Sequence, residues 1–447
     1  MGMAMQMARE RMAITARVAS AIILCLLLTR VAFSQASGKT VRHHRVAEEQ
    51  SNPDLAQAEA AIQHKEFGAA LSLLKKAVAA DGANYEAWFD LGFVNNALGN
   101  TDDSIAAYRK SVEAKPDLFE SNLNLGLMLA KSGAPDAAQY LRAATRLTPT
   151  AHADEGRARA WLSLGQVVAA SNPDEAISAF LRAAELSPKD PEPHLAAGPL
   201  LEKQNHFADA EQQYKQALAL DPSSADALTG LANIYMRGHR YGDAEESLRK
   251  LVALRPDDAG AHLQLGRMLA ADGQLDAAIT ELQGALKMAP DNAGVQRDVA
   301  DVYVLAKKYP EAEIQYRTLL ASNNKDAELH LALGQTLLKQ RKFPQAQQEL
   351  MAAIQLKPDL GPAYGDLAVA ASENKNYALT IKALEVRARL LPEIPVSYFL
   401  RATAYDHLRD FKQAAANYHR FLDVANGQYP DQEWQARHRL IAIEPKK

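Results

Sequence analysis

From Asp54 onward the apolar residues come in paired stretches of about 13 residues, each at helical spacing. One stretch carries His262, Leu265, Gly266 and Leu269, at i, i+3, i+4 and i+7. The next carries Ala278, Leu282 and Ala285, at i, i+4 and i+7. Each pair predicts two helices, and the pair returns every 34 residues. Pro188, Pro222, Pro256, Pro290, Pro358 and Pro392 stand on one ladder, with Asn324 at the missing rung. Ala210, Ala244, Ala278, Ala312, Ala346, Thr380 and Ala414 make a second. Gly198, Ala232, Gly266, Ala300, Gly334, Ala368 and Ala402 make a third. Small residues such as Gly266 and Ala278 let paired helices approach closely. Proline after the second helix lacks an N–H and resets the chain. The Asp, Asn or Ser that follows, as in Pro290-Asp291-Asn292, is placed to cap the next helix. Pro310 and Pro344 stand near the start of a second helix, where proline is tolerated.

The pattern has irregularities. About six residues are added between Pro149 and Trp161, which predicts an extended first helix in the fourth pair. One residue is missing after Gly133 and another before Ala176. Pro199 lies inside a first helix and is expected to kink it. If the array has a joint, residues 149–199 are the expected place for it. At the far end, Pro430 to Ile443 reads as one further helix, with Ala436, Leu440 and Ile443 on one face and Trp434 and Ile441 on another. Such a helix caps a stack whose outer face otherwise exposes core.

The motifs inside the pairs resemble those of the tetratricopeptide-repeat family, W-x2-L-G-x2-Y, then A-x3-F, then P. Trp88, Leu91 and Gly92 match the first part, with Asn95 in place of tyrosine, and Trp161, Leu164, Gly165 and Val168 match it again. Ala176 with Phe180, Ala210 with Tyr214, and Ala312 with Tyr316 match the second. Eleven units begin near Ser51, Tyr85, Phe119, Ala158, Pro191, Ala225, Ala259, Ala293, Ala327, Gly361 and Pro395. The resemblance implies an all-α fold, a right-handed solenoid of antiparallel helix pairs with a C-terminal capping helix. It also implies a concave groove, lined by first helices, for a protein or peptide partner. Groove candidates are Phe89, Phe93, Leu123, Leu127 and Leu162 in the early units, then Asn233, Arg237, Arg267, Arg297 and Asp301 in the centre. Late units offer Gln335, Lys339, Asp366, Thr403 and His407. The early set is expected to take an amphipathic segment and the central set a carboxylate or acidic peptide, which arginine grips through two hydrogen bonds. The competing expectation is that the leucines pack between first helices and the arginines pair with Asp298 and Asp301. The lysine and asparagine set with which some family members clamp chaperone tails cannot be placed on any two adjacent units.

Ahead of the repeats, Arg9, Arg11 and Arg17 precede the 12-residue apolar run Val18–Thr29, and small residues follow at Ala32, Ser34 and Ala36. This is the layout of a secretory signal peptide, residues 1–36, cleaved after Ser34 or Ala36. The rival is a retained inner-membrane anchor, which Arg17 and Arg30 oppose because a span needs about 20 apolar residues. Residues 37–52 read as a flexible linker, 53–428 as the repeats, and 429–447 as the capping helix and tail. The only cysteine, Cys25, lies within the apolar run, so a cleaved chain has no disulfide and no cysteine-ligated metal. Removing residues 1–34 takes away four Arg and one Glu and moves the formal charge from −4 to −7.

Composition agrees with this picture: 48% hydrophobic, mostly Ala and Leu, with only 6% aromatic, which suits closely packed helices. Mixed charges exclude the footprint of a general nucleic-acid binder. No H-E-x-x-H, G-x-S-x-G, phosphate-loop or EF-hand pattern is present, and neither a cofactor nor a small-molecule substrate is implied. His194, His262 and His330 recur at one place in their units, 68 residues apart, which suits packing better than a shared metal site. His43 and His44 fall in the linker. Carboxylate pairs such as Asp102-Asp103 sit at helix starts, where acids stabilise the dipole. The chain therefore reads as a non-enzymatic protein-binding scaffold, exported to the periplasm or cell surface, with membrane contact only through an uncleaved N-terminal segment. The alternative is a subunit of an envelope secretion or polysaccharide-export complex that presents a partner enzyme or its substrate.

Overall fold

In the computed structural model, residues 53–444 are described, and every regular element among them is a helix. The targeting segment and linker expected at residues 1–52 lie outside the described residues, as does the end of the tail. The chain divides into two compact units that meet in sequence at Leu254 and Arg255. In the first, the helix pairs are α1 (Pro53–Gln63) with α2 (Phe67–Ala80), α3 (Tyr85–Ala97) with α4 (Thr101–Ala114), and α5 (Phe119–Lys131) with α6 (Ala137–Arg146). They continue as α7 (Ala153–Val168) with α8 (Pro173–Leu186), α9 (Glu192–Lys203) with α10 (Phe207–Leu220), and α11 (Ala225–Arg237) with α12 (Tyr241–Leu254).

The second unit opens with α13 (Ala259–Asp272) and α14 (Leu275–Met288), then α15 (Ala293–Leu305) and α16 (Tyr309–Ser322). After these come α17 (Ala327–Lys339) with α18 (Phe343–Leu356), α19 (Gly361–Glu373) with α20 (Tyr377–Leu390), α21 (Pro395–His407) with α22 (Phe411–Ala425), and finally α23 (Pro430–Ile443). Within each unit the strongest packing is inside a pair, and first helices also touch the first helix of the next pair, as α5 does α7 and α17 does α19. First helices thus share one face.

Close approach inside a pair depends on the small-residue ladder. A Cβ on Gly165 would lie 2.5 Å from the Phe180 ring, and one on Gly266 would lie 2.6 Å from Leu282 Cγ. Capping follows the expected residues. Asn292 accepts from the N–H groups of Gly294 and Val295, and Asp258, Asp326 and Ser224 cap their helices in the same way. Asn95, where tyrosine is usual, is buried and donates to the Leu91 carbonyl.

The turn between the two helices of a pair holds a feature that no ladder announced. Asn205, His239, Lys307, Arg341, Lys375 and Arg409 all have φ between 55° and 63°, and Gly273 fills the same rung at 86°. That left-handed conformation suits glycine and costs other residues about 1 kcal/mol each. It is held because the next residue's N–H, such as that of Lys342, bonds back to the Leu337 carbonyl and closes the first helix.

The irregular stretch holds the extended first helix that was expected. The helix α7 is extended, at 16 residues against 13 for α3 or α11. Pro199 lies inside α9, which runs through it without a break in helix assignment, and the two compact units divide at 254/255. Pairing is unbroken through the stretch, with α7 packed on α8 and α9 on α10. At the C-terminal end, α23 buries Ala436 and Leu440 against Phe421 and Ala425, while Trp434 (61%) and Ile441 (72%) stay exposed.

Candidate functional site

Six first helices share a contact made by a side chain near their start. Trp88 Nε1 donates to the carbonyl of Gly82 at 2.9 Å, and Asn122 Nδ2 to that of Pro116 at 2.9 Å. Gln296 Nε2 and Tyr364 Oη donate to the carbonyls of Pro290 (2.7 Å) and Pro358 (3.0 Å). His262 and His330 do the same through Nε2, to Pro256 (3.0 Å) and Asn324 (3.2 Å). The acceptor is always six residues upstream, so one contact of the turn carbonyl is met by tryptophan, asparagine, glutamine, tyrosine or histidine. The histidines' Nδ1 atoms face carboxylates of the paired helix, Glu281 at 2.6 Å and Glu349 at 2.7 Å. His194 lies against Gln213 at 2.7 Å. These three rings belong to helix packing.

In the fourth pair this contact is lost. Six residues before Trp161 stands Glu155, which is inside the extended α7, so its carbonyl is committed to the helix. The buried Trp161 Nε1 has no hydrogen-bond partner among the described residues. The added residues do different work. Thr150 donates through its N–H and its hydroxyl to Glu120 Oε1, at 2.8 and 2.7 Å. Pro149 packs beside Gly156 and Phe119. Covered this way, α5 is buried nearly all round, from Phe119 to Leu129.

The residues expected to line a groove meet different fates. Phe89 and Leu123 are buried; Phe89 packs edge-on to Tyr108 with ring centroids 5.6 Å apart. Phe93 is half-buried and edge-on to Phe67 at 6.4 Å. Leu127 and the half-buried Leu162 reach an open cleft. Asn233 is half-buried; Arg237 is exposed, its guanidinium 5.5 Å from the Phe207 ring. Both belong to the first unit.

In the second unit, Arg267 is spent on Asp298. Its Nε and Nη2 lie 2.7 and 2.6 Å from one carboxylate oxygen, with the two side chains only 14% and 15% exposed. Burial raises the Asp298 pKa, Arg267 and Arg297 oppose that, and Asp301 adds to it. Arg297 is half-buried, and Asp301 accepts a hydrogen bond from Tyr316 Oη. One turn of the array later, Gln335 Nε2 donates to Asp366 at 2.7 Å, 31 residues on like the Arg267–Asp298 pair. The competing expectation for the arginines therefore holds for Arg267, in a more buried setting than a surface pair.

The cleft has a volume of about 210 Å³ and lies among α5, α7 and the start of α9. Leu127, Ala158, Leu162 and Pro193 give it apolar walls, and Glu155, Arg159, Gln166, Asp190 and Glu192 are among its polar lining. Gln166 Nε2 donates to Glu192 Oε1 at 3.2 Å, and Asp190 Oδ1 accepts from the Glu192 N–H at 3.0 Å. Burial lowers the pKa of the Arg159 guanidinium. Sequence reasoning found Leu127 and Leu162 but missed the polar set; the insertion after Pro149 was the available signal. Among the described residues no group of three or more metal-ligating side chains occurs, and no helix is long and apolar enough to cross a membrane.

A family profile described as the Cilia and flagella-associated protein 70 C-terminal domain matches residues 42–301, more than half of the chain. Two tetratricopeptide-repeat profiles match residues 269–336 and 327–360. No curated protein matches significantly. Among solved structures, YrrB, described as a TPR protein with an unusual peptide-binding site, is 24% identical over 42% of this chain and 97% of its own, with a TM-score of 0.39. The C-terminal part of a TPR repeat-containing protein from Cytophaga hutchinsonii is 17% identical over 52% of this chain and 95% of its own, with a TM-score of 0.46. Yeast Tom70 is 16% identical over 87% of this chain and 94% of its own, with a TM-score of 0.33.

Proposed function

The chain belongs to the tetratricopeptide-repeat family, and we propose that it is an exported, non-enzymatic scaffold that holds a segment of a partner protein in the cleft among α5, α7 and α9. One observation carries the reading. In the second unit first helices are bridged by polar pairs at Arg267–Asp298 and Gln335–Asp366, and in the first unit α5, α7 and α9 border a cleft with apolar walls and polar edges. Binding sites on a surface take this form, an apolar floor with a few polar groups that set orientation.

Catalysis is not part of the reading, which rests on the repeat architecture and on a cleft whose Gln166, Asp190 and Glu192 are bonded to one another. Export rests on Arg9, Arg11 and Arg17 ahead of Val18–Thr29. N-terminal sequencing of the mature chain tests it, with a start after Ser34 or Ala36 expected and an intact Met1 contradicting cleavage. For the scaffold itself, tagged wild-type chain and Leu162→Asp are compared as baits in the producing organism, with captured proteins identified by mass spectrometry. A partner enriched with wild type and lost with Leu162→Asp, at equal bait folding and abundance, supports the site. Equal capture by both baits rejects it.

A further inference from the structure

We propose that the cleft receives a lysine or arginine side chain of an extended partner segment. The inference rests on the reading of the cleft as the partner site and adds its chemistry. Three carboxylates, those of Glu155, Asp190 and Glu192, border the cleft, against a single guanidinium, that of Arg159. Arg159 and Glu192 are each already engaged within the chain, which leaves Glu155 and Asp190 as the carboxylates that face an incoming group. Glu192 accepts from Gln166, and Asp190 uses Oδ1 on the Glu192 N–H.

Glu155 is the carboxylate with most to offer. It is exposed, and its recorded ion-pair neighbour is His152 at 3.8 Å, a weak contact that needs a protonated ring. An anionic ligand group entering here meets three like charges. A cationic one meets Glu155 and Asp190 while its methylene stem lies along Leu127, Leu162 and Pro193, the arrangement in which long basic side chains bury their stems and keep the charge at the rim. Asp190 and Glu192 also stabilise the start of α9, as acids at helix N-termini do. Glu155 stands in the first turn of α7 in the same sense. The cation preference comes from the carboxylate side chains alone, since the two helix starts that carry them have positive partial charge.

The test uses the purified chain and ten-residue fluorescent peptides that differ only at a central Lys, Leu or Glu, each with a neighbouring photoreactive group. Anisotropy is expected to rank Lys about tenfold tighter than Glu. The Glu155→Gln, Asp190→Asn double variant is expected to reduce the gap to about threefold or less. Both substitutions keep a hydrogen-bonding side chain, and Glu155→Gln alone, at an exposed position, serves as the folding control. Crosslinks from the Lys peptide are expected between residues 155 and 193. A preference for the Glu peptide with crosslinks in the same place overturns the charge inference and leaves the cleft as a partner site. No binding and no crosslink by any peptide overturns both.

Discussion

Residues 119–198 and residues 259–390 are built from the same helix pair, but their first helices use polar side chains differently. In the later stretch the repeat is regular, and side chains on the shared face reach the next pair with a constant offset. Arg267 meets Asp298 and Gln335 meets Asp366, each 31 residues on. In the earlier stretch the insertion after Pro149 lengthens α7 and buries α5, and Gln166, placed after Gly165 as Arg267 is after Gly266, pairs at a different offset, donating to Glu192 26 residues on at 3.2 Å. Strict periodicity repeats one polar pairing at one offset, whereas the aperiodic segment pairs its polar groups at other offsets and leaves the Glu155 carboxylate exposed. An arginine at a groove position is therefore weak evidence of binding when an acid stands 31 residues later.

The sharpest way to break this comparison is to remove Arg267. Arg267→Ala strands a buried carboxylate and should destabilise the chain by about 2–4 kcal/mol in urea unfolding, with Asp298→Asn in the same chain recovering more than half. Arg237→Ala, at an exposed position, should cost under about 0.5 kcal/mol. Equal losses at the two arginines would erase the distinction.

Acid titration probes the same regular stretch. Burial favours the neutral form of Glu313, but Lys342, Gln340 and Arg317 hold its pKa down to about 2 from an ordinary 4.5. A depressed carboxyl contributes stability that is present above about pH 4.5 and is lost as pH falls through about 2. Because the network lies at the surface, its worth is about 1–2 kcal/mol. Glu313→Gln should lose that much at pH 7 and converge with wild type near pH 2, and a constant difference at all pH values would contradict the assignment.

Two tryptophans compare the irregular fourth pair with the regular second pair. Trp88→Phe removes a hydrogen bond to the Gly82 carbonyl and should cost about 1 kcal/mol beyond packing. Trp161→Phe removes a buried N–H that has no partner, so it should be neutral or slightly stabilising. The smallest effect belongs to the left-handed turn. Arg341→Gly, at φ 59° in the rung where Gly273 stands, should raise stability by about 0.5–1 kcal/mol by thermal unfolding. A loss at Arg341→Gly would mean that the arginine side chain contributes more there than its backbone conformation costs.

Most of the fold was legible because packing acts through period. The Gly198-to-Ala402 ladder is where paired helices touch, and Gly266 against Leu282 shows why a larger residue is excluded. The left-handed rung was not legible, because Asn, His, Lys and Arg occupy it without a common chemistry. The contact to the turn carbonyl was hidden for the same reason, since five residue types make it. At the site, Leu127 and Leu162 followed from helical position, whereas Arg159, Asp190 and Glu192 are brought together by an insertion that breaks the period. Phe89 and Leu123 were legible as first-helix residues, but their burial depends on how closely α3 and α5 sit to their neighbours.

The central claim is that partner contact concentrates at the irregular α5–α7–α9 face. A photoreactive amino acid placed singly at 127, 162 and 166, and at 335 and 403 in the regular stretch, reports this in the producing organism. Adducts to one identified protein at the first three positions, with little at the last two, are the predicted result. Uniform adducts along the chain, or adducts confined to 335 and 403, would contradict it.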